Sequence, residues 1–152
     1  MDSFEVNWVA EGDTYRLIQN TGTGIVAQGE TGWTDYTVST SMAPLLSESV
    51  ALLAAVGGLR RYVALLLDAD HRVRIVEQID SVRRILFELD ANWSFGERYA
   101  VSLTVSSNLV SANFAGSSCR PVAASRSLGG AIGLLVASGN AGFGVVKVHP
   151  QR

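Results

Sequence analysis

Residues 98–105 alternate strictly: Tyr99, Val101, Leu103 and Val105 fall on one side of an extended chain, and Arg98, Ala100, Ser102 and Thr104 on the other. Side chains along a strand point to opposite faces in turn, so this pattern buries one face and wets the other only as β-structure. The same constraint recurs. In 84–89, Ile85, Phe87 and Leu89 are set against Arg84, Leu86 and Glu88, and Val73 and Ile75 alternate with Arg72 and Arg74. Residues 33–41 are rich in β-formers. Residues 132–136 and 144–148 read as two strands separated by a turn at Ser138-Gly139-Asn140. Residues 109–116 follow the Asn108 turn directly, which predicts a hairpin with 98–105.

Turn signals punctuate the chain: Glu11-Gly12-Asp13, Asn20-Thr21-Gly22, Asp68-Ala69-Asp70, Ser94-Phe95-Gly96, Ser106-Ser107-Asn108 and Gly129-Gly130. About a dozen short strands at such spacing predict a sandwich or jelly roll. One segment resists the period: 45–56 is rich in Leu and Ala and reads equally as helix or strand, with Gly57-Gly58 as its end. With 152 residues, 47% of them hydrophobic, the chain has the apolar content for one packed core, and it carries no repeat or linker. We therefore expect a single domain over 1–152, its core about 4–148, and a frayed tail at 149–152.

Several function classes are excluded by the same reading. Cys119 is the only cysteine, so there is no internal disulfide and no multi-cysteine zinc site. The first residues, Met1-Asp2-Ser3-Phe4-Glu5, lack the basic and apolar regions of a signal peptide, and a cytoplasmic location is expected. The most apolar stretch, 45–67, is interrupted by Glu48, Gly57-Gly58, Arg60 and Arg61, which argues against a membrane span. Net charge is -2, and the basic residues after Glu97 are scattered, so no nucleic-acid surface is expected.

Candidate chemistry is sparse. Asp68 and Asp70, with His71 beside them, supply two carboxylates where a Ca²⁺ site needs six or more oxygens; a polar hairpin turn is the plainer reading. His71 and His149 are the only histidines and make no zinc site alone. Arg120 beside Cys119 is placed to lower its pKa, although an inert thiol is commoner. No cofactor, catalytic residue or metal ligand is assigned. The aromatics carry more. Sugars stack their C–H faces on Trp and Tyr while polar groups fix the hydroxyls. Trp33, Tyr36, Tyr62 and Trp93 offer rings; Asp35, Arg60 and Arg61 are polar partners, and paired guanidinium forks suit phosphate or an ADP-ribose-type ligand. Core packing competes with each ring, most strongly for Trp93.

The runs Trp33-Thr-Asp-Tyr-Thr-Val, Gly58-Leu-Arg-Arg-Tyr-Val-Ala-Leu-Leu-Leu, and Trp93 followed by Gly96 and Tyr99 resemble the concanavalin A-like sandwich superfamily. More narrowly they are similar to a β-domain C-terminal to the catalytic domain of some bacterial ADP-ribosylglycohydrolase-like proteins, with Tyr15-Arg-Leu-Ile-Gln-Asn and Gln28-Gly29 in the same pattern. The resemblance implies that 50–56 and 62–67 are neighbouring strands of a buried sheet, and that any ADP-ribose hydrolysis belongs to a separate domain. Glu88-Leu-Asp90 also resembles the Glu-x-Asp core of laminarinase-type glycosidases, but Asn92 stands where a further acid is needed.

The expected fold is therefore all-β, a two-sheet antiparallel sandwich of jelly-roll, concanavalin A-like form. The expected function is a non-catalytic module binding carbohydrate or a sugar-nucleotide moiety through Trp33, Asp35, Tyr36, Arg60, Arg61 and Tyr62. One alternative is an interaction domain that packs on a catalytic partner or on itself through the apolar stretch 122–146. A weaker one is a glycoside hydrolase using Glu88 and Asp90.

Overall fold

The computed structural model describes residues 4–6, 15–30, 32–57, 60–144 and 146–150. Among them there is no helix, and hence none long and apolar enough to cross a membrane. The strands are β1 (Phe4–Val6), β2 (Tyr15–Gln28), β3 (Tyr36–Leu46), β4 (Ser49–Val56), β5 (Arg61–Leu67), β6 (Arg72–Ile79) and β7 (Val82–Asn92). They continue as β8 (Tyr99–Ser106), β9 (Leu109–Phe114), β10 (Ser117–Ser118), β11 (Val122–Ala123), β12 (Ala131–Phe143) and β13 (Val146–Pro150). Every ladder is antiparallel.

Two layers form the sandwich. One runs β10-β9-β8-β3, with β13 and β1 beyond β3 and β11 on β9; the other runs β2-β12-β4-β5-β6-β7. β12 belongs to both: residues 131–137 pair with β4, and residues 140–143 pair with the end of β3. The turn expected at Ser138-Gly139-Asn140 is therefore a bend inside one strand. The β2 ladder continues on both sides of it, and the register slips between Ala137 and Gly139, where Ser138 (φ 48°) and Gly139 (φ 154°) leave extended geometry. Opposite lies Asn20-Thr21-Gly22, also expected as a turn, which β2 carries through without a break. Turn-forming residues supply the left-handed backbone a bulge needs, and a bulge bends a strand without ending it.

The interior is built by alternation. Val101, Leu103 and Val105 of β8 and Val110, Ala112 and Phe114 of β9 face Val50, Leu52 and Ala54 of β4 and Val63, Leu65 and Leu67 of β5. The hairpin of β8 and β9 stands as expected. The ambiguous segment 45–56 contributes β4, and it lacked a period because β4 is buried at all of its positions. Ala51 and Leu53, with Tyr62, Ala64 and Leu66 of β5, form a second buried cluster on the opposite face of that layer. A strand buried on both faces is apolar throughout.

Three other expectations change. In β7 the register slips between Ile75 and Val76, which pair with Phe87 and Ile85; Leu86 is the extra residue. Phe87 and Leu89 turn to the core while Ile85 is left 60% exposed, so the three do not share a face. The apolar stretch 122–146 is no exposed docking surface: Leu128, Ile132, Leu134, Leu135, Val136, Phe143 and Val146 are all buried. His149 and Pro150 are not frayed but pair with Thr37 and Tyr36 in the β13–β3 ladder. The turn expected at 11–13, and Gly58 between β4 and β5, lie outside the described residues.

Candidate functional site

The six residues singled out for binding gather at one end of the sandwich, but the rings among them are structural. Tyr36 is fully buried; its hydroxyl donates to the Gly130 carbonyl (2.9 Å), with the Ala131 carbonyl at 3.2 Å, and accepts the Ala55 N–H (2.8 Å). Burial pushes its pKa up to about 12. The hydroxyl pins a bulge in β4, where Ala55 has φ 54° and the pairing jumps from Val56–Ala131 to Leu53–Gly133. Tyr62 is 4% exposed within the second buried cluster. Neither tyrosine presents a ring face to solvent. Trp33 is half-buried, lies against Gly29, and meets Tyr36 edge-on with centroids 6.4 Å apart. Asp35 accepts the Ser106 hydroxyl (3.1 Å) and the Ser107 N–H (3.3 Å), which ties it to the β8–β9 turn. Arg60 and Arg61 are exposed, and Arg61 approaches Asp80 at 3.5 Å.

A denser arrangement sits near the other end, on the outer face of β6 and β7. Leu66, Arg74 and Glu88 form one rung across three strands. The Arg74 guanidinium donates to Asp68 (2.9 Å), to both oxygens of Asp70 (2.9 and 2.6 Å) and to Glu88 (3.0 Å). Arg72 donates to the other Glu88 oxygen (2.9 Å) and to Asn92 (3.4 Å). The hydrogen bonds from Arg74 hold the Asp70 carboxyl below its usual range, and Asp70 in turn raises Arg74. A guanidinium thus fills the space between the two carboxylates that sequence offered to a cation. Both oxygens of Glu88, the first acid of the glycosidase-like pair, are held by arginines.

Around the rim of this lattice lie exposed aromatic rings. His71 (φ 65°) stacks on Trp93 at 4.5 Å and 18°, with its Nδ1 bonded to the Trp93 carbonyl at 2.9 Å. Phe95, 43% exposed, stands edge-on to both at 5.3 Å. Trp93 itself is buried and donates its indole N–H to the Asp68 carbonyl (2.9 Å), joining rim to lattice. In the sequence Asp68–Asp70, Glu88 and Trp93 read as separate features because the residues that meet, Arg74 with Glu88 and Trp93 with Asp68, are 14 and 25 positions apart. The one readable sign was Arg72 and Arg74 on the polar face of a strand whose neighbour carries Glu88. Elsewhere, Cys119 is half-buried, and burial raises its thiol pKa, in keeping with the commoner inert thiol and not with activation by Arg120.

No family model and no curated protein matches the sequence. Solved structures do match. A carbohydrate-binding module of Bacillus subtilis superposes with a TM-score of 0.74 at 15% identity over 85% of this chain and 83% of its own. A toad ovary galectin solved with thio-digalactose gives 0.59 at 12% identity, covering 85% of this chain and 99% of the galectin. An Aspergillus kawachii β-fructofuranosidase gives 0.62 at 14% identity; 96% of this chain is covered, but only 27% of the larger enzyme. At these identities the likeness concerns the backbone. The chain shares with them a lectin-like, two-sheet β-sandwich fold.

Proposed function

We propose that this chain is a non-catalytic carbohydrate-binding module whose contact surface is the Arg72–Arg74–Glu88–Asp70–Asn92 lattice with the His71 and Phe95 rim. The observation that carries the reading is that adjacency, on a fold shared with carbohydrate-binding modules and galectins. A sugar offers paired hydroxyls, each both donor and acceptor, and a flat C–H face. A carboxylate beside a guanidinium presents acceptors and donors at matching spacing, and here each group is already oriented by its neighbour, so little entropy is lost on binding. An exposed ring supplies the surface on which the C–H face rests. Removing either element should be felt separately: Phe95→Ala should weaken binding several-fold, and Arg72→Ala about tenfold or more, the usual effect of losing a charged hydrogen bond. Titration calorimetry against a panel of neutral oligosaccharides tests this; a sugar that binds equally to wild type and to both variants would remove the lattice from the reading.

The accessory role is supported by the match to a fraction of the β-fructofuranosidase, in which such a sandwich is part of a larger enzyme. The resemblance to β-domains beside ADP-ribosylglycohydrolase-like catalytic domains makes ADP-ribose the second ligand for the same titration. A catalytic domain is then the partner to seek.

A further inference from the structure

At the end of the sandwich opposite the lattice, a cleft of about 460 Å³ lies between the β6–β7 hairpin and Ser125 of the segment joining β11 to β12. Glu77, Ile79, Asp80, Ser81, Val82, Arg84 and Ser125 line it. Its volume falls in the usual range for small-ligand sites. Glu77 is the only charged residue buried among those described, 2% exposed, and pairs across strands with Val63 on one side and Arg84 on the other. Hydrophobic neighbours at that depth would ordinarily exclude a carboxylate. Here it accepts the Ser125 N–H on both oxygens (3.2 and 3.1 Å) and the Ser125 hydroxyl (3.0 Å). Arg84 comes no closer to it than 3.7 Å and leaves half of its side chain in solvent. Asp80 is matched by Arg61 at 3.5 Å. Each of the two carboxylates thus already has a partner, and Arg84 is the guanidinium that lines the cleft itself.

We infer that this cleft is a second ligand site, and that it takes a sugar residue carrying an anionic group, a uronic-acid-type carboxylate. Arg84 lines the cleft, and among the described residues only a long ion pair engages its guanidinium fork, so it has donors left for a bidentate partner. Ser81, Ser125 and the Asp80 carboxylate supply donors and acceptors for ring hydroxyls. Ile79 and the 62% exposed Val82 give the apolar wall against which a C–H face packs. Buried Glu77 acts as a positioning residue: through Ser125 it fixes the wall of the cleft formed by the β11–β12 segment.

The site is independent of the lattice, and variants separate them. Titration calorimetry and amide shift mapping of the whole chain with a glucuronic-acid disaccharide should show shifts at Ser81, Val82 and Ser125. The neutral disaccharide of the same linkage should bind at least tenfold more weakly. Arg84→Gln should cost the acidic sugar about ten- to a hundred-fold in affinity, the usual effect of losing a charged hydrogen bond. Arg72→Ala should leave it unchanged. Glu77→Gln, which keeps the acceptor oxygen, should retain most of the binding, whereas Ser125→Gly should lower it. Equal affinity for acidic and neutral sugars, full binding by Arg84→Gln, shifts confined to the lattice, or no binding at all would each overturn the inference. So would inorganic sulfate binding as tightly as the disaccharide, since the hydroxyl contacts would then add nothing. Loss of neutral-sugar binding in Arg72→Ala with acidic-sugar binding intact would speak for both sites at once.

Discussion

Replacing Tyr36 with Phe removes one oxygen from the fully buried end of the core and leaves the ring in place. Two backbone groups lose their partner: the Ala55 N–H and the Gly130 carbonyl. A buried group left unsatisfied costs about 1–3 kcal/mol, so the pair should cost about 3 kcal/mol. Some relief is available, because Ala55 sits at φ 54° against a preference of about 1–2 kcal/mol, and the bulge is free to relax once its anchor is gone. For a domain of this size the loss corresponds to a drop of about 6–12 °C in Tm. A second signature follows from the raised pKa. The folded phenol ionises near 12 and the unfolded one near 10, so between those values the native state keeps a proton that the unfolded chain has released. Stability contributed by the neutral phenol is complete below pH 10. It then falls as pH rises toward 12, by about 1.4 kcal/mol per pH unit for this one group. Urea unfolding of wild type and Tyr36→Phe across pH 7 to 12 measures both effects. The variant should be less stable at neutral pH, and its alkaline slope shallower. A variant within about 0.5 kcal/mol of wild type at pH 7, with an identical alkaline slope, would refute the argument.

Gly130 has φ 142°, and an added Cβ would sit 2.5 Å from the Val56 carbonyl oxygen, so Gly130→Ala should cost upward of about 3 kcal/mol in chemical unfolding. Glu77→Ala leaves the N–H of Ser125 without its acceptor; hydrogen exchange at Ser125 should accelerate markedly while that of Leu103 follows only global unfolding. Arg74→Met removes the main cause of the low Asp70 pKa, so the Asp70 carboxyl, followed by NMR, should titrate closer to its ordinary value. The folded Asp70 pKa is the depressed one, so its contribution is present above the unfolded value and lost as pH falls through the folded value; the acid limb of the stability curve should therefore flatten in that variant.

The strands with one wet face were legible because burial alone produces their period: β8 stands where alternation put it, and β9 where the Asn108 turn returned the chain. β4 was not legible by the same rule, since Ala51 and Leu53 are buried as completely as Val50 and Leu52. Bulges erased phase elsewhere. One extra residue, Leu86, moved Ile85 out of the set it shared with Phe87 and Leu89. Asn20-Thr21-Gly22 and Ser138-Gly139-Asn140 carry the residues of turns and serve as facing irregularities of one ladder. The candidate sites divide similarly. Arg60 and Arg61 could be recognised as exposed by their charge, whereas nothing local distinguishes the buried Tyr36 and Tyr62 from rings on a surface. The Arg74 lattice joins three segments, and its membership follows from register, which pattern does not give.

β12 reaches from one layer into the other and pairs along its length with β2, although about 100 residues of chain separate them. During synthesis, β2 must therefore wait while the intervening strands emerge. At the usual ~5–20 residues per second that interval is roughly 5–20 s, far longer than a hairpin such as β8–β9 needs to close. Until then the outer edge of β4 lacks the strand that covers it, and its apolar residues wait with it. The order of translation makes this edge one of the last to be sealed, before only the β3 edge that awaits β13, and leaves it open meanwhile to a chaperone or to the same strand of another nascent chain.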